Sequence, residues 1–301
     1  MNKFVRSFFF SNYFYGCCVL ALSIETNLQL ATSLNSPFYY LLIFTASVVY
    51  YTKSYTSEAS YSEPNRRAQW YRINKIKVLY SQTSLLFITI VLTAFLFYQN
   101  FTAIKQLTAT EWKLALIFPL TATLYYGSIF PKNPTHNLRS IGWLKPFVIG
   151  FVWTGVVSIY PLLYKAIENH QHFEPHWLVW MFFIKNFIFI SILCILFDIK
   201  DYAADHNSQL KTFVVRLGLR KTLFYVIIPL ALVSFISFII FTLSRHLPLT
   251  RIFINSVPYI LLITVTWSMQ RRKTILYYLA IIDGLLLVKA ACGILGVLLF
   301  K

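Results

Sequence analysis

Three aspartates lie within eight positions of one another, directly behind a long apolar run. Asp198, Asp201 and Asp205 occur in "LFDIKDYAADHNSQLKTFVVRLG", at the end of the apolar stretch "WLVWMFFIKNFIFISILCILF". A carboxylate at the edge of an apolar medium is costly unless a cation meets it. If a helix continues past Phe197, spacings of three and seven residues place all three carboxylates on one face. Three converging carboxylates suit Mg²⁺, which prefers oxygen ligands and commonly reaches its substrate through phosphate.

Two basic residues follow the aspartates closely. Lys211 and Arg216 are able to neutralise the remaining charge of a bound phosphate. One interpretation is therefore a diphosphate that Mg²⁺ bridges to the aspartates, with a hydrocarbon tail lying in the apolar segment. The other interpretation is three solvated carboxylates, balanced by Lys200, Lys211 and the lipid headgroups. Spacing alone leaves both interpretations open.

The composition is that of a membrane protein. Of the 301 residues, 57% are hydrophobic and only 12% are charged, whereas a soluble domain is about a quarter charged. We therefore expect an all-α, polytopic membrane protein that forms a single domain over residues 1–301. A helix needs about 20 apolar residues to cross the hydrocarbon. Nine runs near that length predict nine spans: 8–25, 36–52, 76–98, 112–130, 146–164, 177–197, 222–242, 252–269 and 274–300.

The positive charges are distributed unevenly between the loops. The N-terminus and the loops after the second, fourth, sixth and eighth spans hold 19 of the 27 Lys and Arg residues. This bias predicts that the N-terminus and the aspartates are cytoplasmic and that the C-terminus is external. The formal charge of +17 is then a signal of topology and does not indicate binding to nucleic acid. We expect an integral protein of a plasma membrane, such as a bacterial inner membrane.

The aspartate segment resembles the second aspartate motif of the UbiA superfamily of intramembrane prenyltransferases. That motif is D-x-x-D-x-x-x-D followed by Lys-Thr and Arg-Leu-Gly, which correspond here to Lys211–Thr212 and Arg216–Leu217–Gly218. The nine spans and the position after the sixth are similar to that family along nearly the whole chain. The resemblance implies a Mg²⁺-bound isoprenoid diphosphate, whose prenyl group passes to a lipid-soluble, aromatic or other acceptor. It also implies that Asp198 and Asp201 are catalytic and bind Mg²⁺, with Asp205 assisting.

The first aspartate motif of the family is missing from this chain. Where the family has N-x-x-x-D-x-x-x-D after the second span, alignment on the following Pro and Arg places Tyr51, Tyr55 and Ala59. The resemblance is therefore to a divergent member. We expect Glu58 to replace the lost carboxylates, and the predicted substrate-binding residues are Lys211, Arg216, Arg66, Glu58 and Tyr55.

Two other functions fit the same sequence. One is a non-catalytic lipid-binding or scaffold subunit that keeps the fold and one motif. The other is a small transporter, because Lys185, Asp283 and Lys289 lie within predicted spans, where charge is expensive and often functional. The alternative for these three residues is a structural role, in which each is paired with a partner on another helix.

Overall fold

The computed structural model of the protein describes residues 3–53, 55–56, 66–126, 138–271 and 273–300. These residues form helices joined by short links, and no strand occurs among them. The helices are α1 Lys3–Phe10, α2 Tyr13–Gln29, α3 Pro37–Lys53, α4 Arg66–Ile73, α5 Lys75–Gln99, α6 Phe101–Lys105, α7 Ala109–Tyr126, α8 Lys145–Glu168, α9 Trp177–Asn207, α10 Phe213–Leu217, α11 Leu219–Ser244, α12 Leu249–Ser268 and α13 Ile275–Leu299.

Six of these helices are long and apolar enough to cross a membrane: α5, α8, α9, α11, α12 and α13. The all-α architecture expected from the sequence is therefore found, and these six helices are consistent with an integral membrane protein, but the count of nine spans is not confirmed. Helices do lie at the other three predicted spans. They are shorter, with 17 residues in α2, 17 in α3 and 18 in α7.

The bundle is arranged as a ring of helices. Helix α2 packs against α8 on one side and against α13 on the other, and α9, α11 and α12 complete the ring. Helix α3 lies on α2, and α5 lies outside α3. Only 11% of the apolar window of α5 is buried, compared with 61% in α9. Helix α5 is therefore peripheral, whereas α9 and the equally buried α8 belong to the core of the bundle.

Helix α9 is long enough to cross an apolar layer and to carry the aspartates beyond it. It has 31 residues, so it is about 46 Å long at a rise of 1.5 Å per residue, whereas the hydrocarbon is about 30 Å thick. Its middle turns supply core residues such as Phe189, Ile192 and Leu196. Its last turns contain Asp198, Asp201 and Asp205 in continuous helix, as the sequence predicts.

Three of the long helices contain a π-helical turn. These turns are Gly155–Ile159 in α8, Thr222–Ile227 in α11 and Tyr278–Ile282 in α13. A π turn inserts one extra residue into the helix and is frequent at functional sites. The turn in α13 ends immediately before Asp283, so it determines where that carboxyl group points.

Candidate functional site

The cation that meets the first aspartate is Lys145, at the start of α8. Its Nζ donates a hydrogen bond of 2.7 Å to Oδ1 of Asp198. The Asp198 side chain is 3% exposed and that of Lys145 is 17% exposed, so the pair is largely removed from water. The other oxygen of Asp198, Oδ2, is buried and has no hydrogen-bond partner. One carboxylate oxygen is therefore neutralised and the other is available to a ligand.

A glycine allows Lys145 to reach the aspartate. A Cβ on Gly142 would lie 2.6 Å from the backbone nitrogen of Thr212 and 2.8 Å from the carbonyl oxygen of Lys211. The chain after α9 thus lies directly on the turn that leads into α8. This close approach holds the first turn of α8 beside the last turns of α9.

Asp198 lines a small chamber of about 190 Å³ with charged and apolar walls, which we call the aspartate chamber. Its other charged lining residues are Asp201, Asp283, Lys145 and Lys200. Lys200 Nζ lies 3.2 Å from Oδ1 of Asp201, whose side chain is 43% exposed. Among the described lining residues, three carboxyl groups thus face two ammonium groups.

Asp283 enters the chamber from α13, on the side opposite the predicted motif. The residue is 4% exposed, and its Oδ2 has no hydrogen-bond partner. The hydroxyl of Tyr15, from α2, lies beside the carboxyl group. The chamber therefore has two buried carboxylate oxygens without hydrogen bonds, one on Asp198 and one on Asp283.

The remaining residues of the predicted second motif lie elsewhere. Asp205 is buried and close enough to Lys145 to interact with it electrostatically, but it does not line the chamber. Lys211 and Arg216 are exposed and are also absent from the described lining. The structure thus brings Asp198 and Asp201 together and leaves Lys211 and Arg216 on the outside.

The predicted first-motif positions are only partly described. Glu58 and Ala59 lie outside the described residues, and so does the side chain of Arg66. Tyr55, one of the predicted substrate-binding residues, lines the chamber. The guanidinium of Arg67, the neighbour of Arg66, lies 3.9 Å from the centre of the Tyr55 ring.

Arg67 is held by the loop between α1 and α2. It donates hydrogen bonds to Oδ1 of Asn12, at 2.6 Å, and to the carbonyl of Phe10, at 2.9 Å. Tyr71 donates to the same carbonyl, at 2.8 Å. Burial raises the pKa of Tyr71 to about 12, although the nearby Arg67 opposes that shift. Tyr71 is thus a neutral hydroxyl at ordinary pH and fixes the position of α4.

A large apolar cavity of about 590 Å³ adjoins the aspartate chamber. It lies between α2, α3, α5, α7 and α8. Tyr51 and Trp153 line both spaces, and the indole nitrogen of Trp153 donates a hydrogen bond to the Tyr51 hydroxyl. A third space of about 200 Å³ shares Tyr50 and Tyr51 with the apolar cavity and Tyr51, Tyr55 and Lys145 with the aspartate chamber. We call these three neighbouring spaces the connected cavities because they share lining residues, and their charged residues lie at the end that contains Asp198.

The charged end offers oxygen ligands of the kind that Mg²⁺ takes. Among the described residues, no group of three or more His, Cys, Asp or Glu side chains is placed to hold a metal ion. Mg²⁺ is commonly held by one or two carboxylates, with substrate phosphate and water as the other ligands. The buried Oδ2 of Asp198 without a hydrogen-bond partner fits that donor set, and Asp201 adds a second carboxylate to the same chamber.

A second buried charge cluster lies deeper in the bundle. Lys289 Nζ donates to both carboxylate oxygens of Glu25, at 2.8 and 3.0 Å, and both side chains are at most 4% exposed. The prediction that Lys289 has a partner on another helix is confirmed. Lys185 Nζ lies 4.2 Å from the ring centre of Phe182 and 4.6 Å from that of Phe241. This cluster lines none of the three connected cavities.

Comparison with protein-family models, curated proteins and solved structures finds no match to this chain. The function of the site is therefore inferred from its geometry and from the residues that form it.

Three charged residues at these sites are not among the predicted ligands. Lys145 is one of many basic residues in the loops after the even-numbered spans, and Asp283 is the only acidic residue of the last apolar run. Glu25 lies at the end of the first apolar run, where a carboxylate resembles a simple helix boundary. The sequence signal for Asp283 is the high free energy of a charged group within a predicted span, but the neighbouring residues do not show which cavity its side chain lines.

Proposed function

We propose that this protein is an integral membrane protein of nine spans that binds an isoprenoid diphosphate and transfers its prenyl group to a lipid-soluble acceptor. In this proposal the helices α2, α3 and α7 span the membrane together with the six longer ones. The aspartates face the cytoplasm across a plasma membrane, as in a bacterial inner membrane, and the C-terminus is external. The protein is then a divergent relative of the UbiA prenyltransferases.

The observation that carries the proposal is that a chamber with charged residues lies directly beside an apolar cavity. The chamber around Asp198 and Asp201 shares Tyr51 and Trp153 in its wall with the cavity of about 590 Å³. Such a site suits a ligand with a small anionic head and a long hydrocarbon tail. It suits a polar solute less well, because most of its walls are apolar.

The balance of charge in the chamber explains why the ligand needs a cation. Asp198 and Asp201 lie in its wall, and each would repel a diphosphate unless a cation lay between them. Asp198 and Asp201 would hold Mg²⁺. When bound, Mg²⁺ neutralises the diphosphate and thereby makes it a better leaving group.

The chain supplies the other functions of the site. Lys145 Nζ holds Asp198 Oδ1 in place and also presents positive charge to the diphosphate, which favours departure of that group. Tyr51, Tyr55 and Trp153 line the passage with aromatic rings, which face developing positive charge favourably. Asp283 Oδ2 accepts a hydrogen bond from a polar acceptor or takes the proton that this acceptor loses.

The proposal is tested by binding and by chemistry. Purified protein is titrated with geranylgeranyl diphosphate in the presence and absence of Mg²⁺, and diphosphate release is then followed with a membrane lipid extract as the source of acceptor. Asp198→Asn and Asp201→Asn are each expected to abolish Mg²⁺-dependent binding. Glu174→Gln, an exposed carboxylate outside the chamber, is the matched control. Wild-type protein that fails to bind the diphosphate with Mg²⁺ present refutes the proposal.

A second candidate function is lipid binding without catalysis. It is favoured by Lys145, which already occupies one oxygen of Asp198, and by the tyrosines that stand at two of the first-motif positions. Mg²⁺-dependent binding with no detectable diphosphate release, in wild type and in the Tyr55→Asp/Ala59→Asp variant, would favour this candidate. Release that disappears in Asp198→Asn would favour the enzyme.

A further inference from the structure

A second cavity, larger than the aspartate chamber, opens at the same end of the bundle. Its volume is about 690 Å³, and it lies between the end of α9, the start of α11 and the link from α12 to α13. Its charged lining residues are Lys200, Arg271 and Lys273, and among the described residues that line it there is no carboxylate. We call it the basic cleft.

The three cations of the basic cleft differ in whether a carboxylate neutralises them. Lys200 pairs with Asp201 at 3.2 Å and lines both the cleft and the aspartate chamber. Arg271 and Lys273 take part in no ion pair among the described residues. Lys273 Nζ lies 4.8 Å from the ring centre of Tyr277. Arg271 and Lys273 are therefore available to an anion in the cleft, and Lys200 adds a third positive charge to its lining.

The inner surface of the cleft is apolar. Ile199, Val214, Leu219 and Met269 line it together with Tyr278. A ligand that filled the cleft would thus place an anionic group against Arg271 and Lys273 and less polar atoms below it. An inorganic anion satisfies only the first of these two conditions.

Exposed aromatic residues place the cleft at the level of a membrane surface. Trp267, two residues before Met269, is 65% exposed, and Tyr225, in the first turns of α11, is 77% exposed. Exposed Trp and Tyr at the ends of apolar helices are typical of the layer of lipid headgroups. Basic pockets between membrane helices at that depth bind the phosphate of anionic lipids.

We propose that the basic cleft binds the phosphate group of an anionic phospholipid, with Arg271 and Lys273 as its principal ligands. Arginine pairs with phosphate through two parallel hydrogen bonds, and lysine adds a point charge. The lipid's glycerol region lies on the apolar floor of the cleft. This site is separate from the aspartate chamber and does not depend on the function proposed for that chamber.

The test measures lipid affinity of the full chain. Protein in a zwitterionic detergent is titrated with phosphatidylglycerol, and bound lipid is counted by native mass spectrometry. Phosphatidylcholine with the same acyl chains and inorganic phosphate are titrated in parallel. Arg271→Gln/Lys273→Gln is expected to weaken phosphatidylglycerol binding at least about tenfold. Arg271→Lys/Lys273→Arg, which preserves both charges, is expected to retain most of it.

The matched control removes two cations from the same end of the bundle, at exposed positions outside the cleft. This control is Lys75→Gln/Lys77→Gln, at the start of α5. Loss of phosphatidylglycerol binding in the cleft variant but not in the control supports the proposal. Inorganic phosphate that binds with the same dependence on the cleft identifies a soluble phosphate as the source of the ligand. Three results would overturn the proposal. The first is equal binding by wild type and the cleft variant, and the second is an equal loss in both glutamine variants. The third is a wild-type protein that binds neither phosphatidylglycerol nor inorganic phosphate.

Discussion

Removal of Glu25 should destabilise the protein more than removal of its partner Lys289. Two cations, Lys289 and Lys185, lie close to this one carboxylate: both Nζ atoms lie within 5.8 Å of the centre of the Phe182 ring, and Glu25 accepts both hydrogen bonds of Lys289. Without Glu25, the buried ammonium of Lys289 has no carboxylate to offset it, and Lys185 repels it whenever that amine is protonated. Without Lys289, Lys185 lies near enough to Glu25 to take up a proton and offset the carboxylate.

The size of the effect follows from the distance of the pair. At 2.8 Å and an effective dielectric constant of about 20, the Coulomb attraction is about 6 kcal/mol before desolvation is subtracted. Breaking a buried pair by removing one partner typically costs about 3–5 kcal/mol. We therefore expect Glu25→Gln to cost about 4–5 kcal/mol of unfolding free energy and Lys289→Met about 2–3 kcal/mol.

The assay is reversible unfolding of the purified protein in mixed micelles with increasing SDS, followed by circular dichroism. Glu25→Gln/Lys289→Met completes a double-mutant cycle, and Lys105→Gln, an exposed lysine in α6, is the control. The double variant is expected to be more stable than Glu25→Gln alone, because it removes one of the two unpaired cations. The reasoning is refuted if Lys289→Met costs as much as Glu25→Gln, or if the double variant is the least stable of the three.

Two further predictions concern the supports of the aspartate chamber. Gly142→Ala should lower the unfolding free energy, measured by the same SDS titration, by about 1–3 kcal/mol, because its Cβ would lie 2.6 Å from the nitrogen of Thr212. The control Gly284→Ala, whose Cβ would have nothing within 4 Å, should be neutral or stabilising. Tyr71→Phe should cost about 1–2 kcal/mol, because a buried carbonyl loses a donor; Tyr98→Phe, at a residue that is 85% exposed, should change little, and equal losses in the two variants would contradict the assignment.

The sequence predicted the helical architecture and the position of the aspartates well, because both depend on local patterns. Apolar runs define the helices, and continuous helix past Phe197 places Asp198 and Asp201 at the end of α9. The partners of these residues depend on contacts between distant segments. Lys145 lies 53 residues before Asp198, and Asp283 reaches the same chamber from the last helix after a π turn. No spacing rule within one helix relates such residues.

The predicted ligands Lys211 and Arg216 illustrate the same limit. Their proximity to the aspartates along the chain suggested a shared ligand, but a turn at Leu210–Thr212 and the short helix α10 leave both side chains exposed. Conversely, Tyr51 is a poor metal ligand by its chemistry, yet it lines all three connected cavities. Its position in the wall of the site could not be inferred from the residue type.

The contact between α2 and α13 has a consequence for how the protein is made. Glu25 and Lys289 are separated by 264 residues, which a ribosome takes about 13–53 s to synthesise at about 5–20 residues per second. During that interval α2 has left the ribosome while the lysine that neutralises its carboxylate does not yet exist. If α2 spans the membrane as proposed, the nascent chain must shelter Glu25 by protonation, by contact with the insertion machinery or at the lipid headgroups. Closure of the ring is then the last event of biosynthesis, and a chain truncated before α13 would carry an unpaired acid in α2.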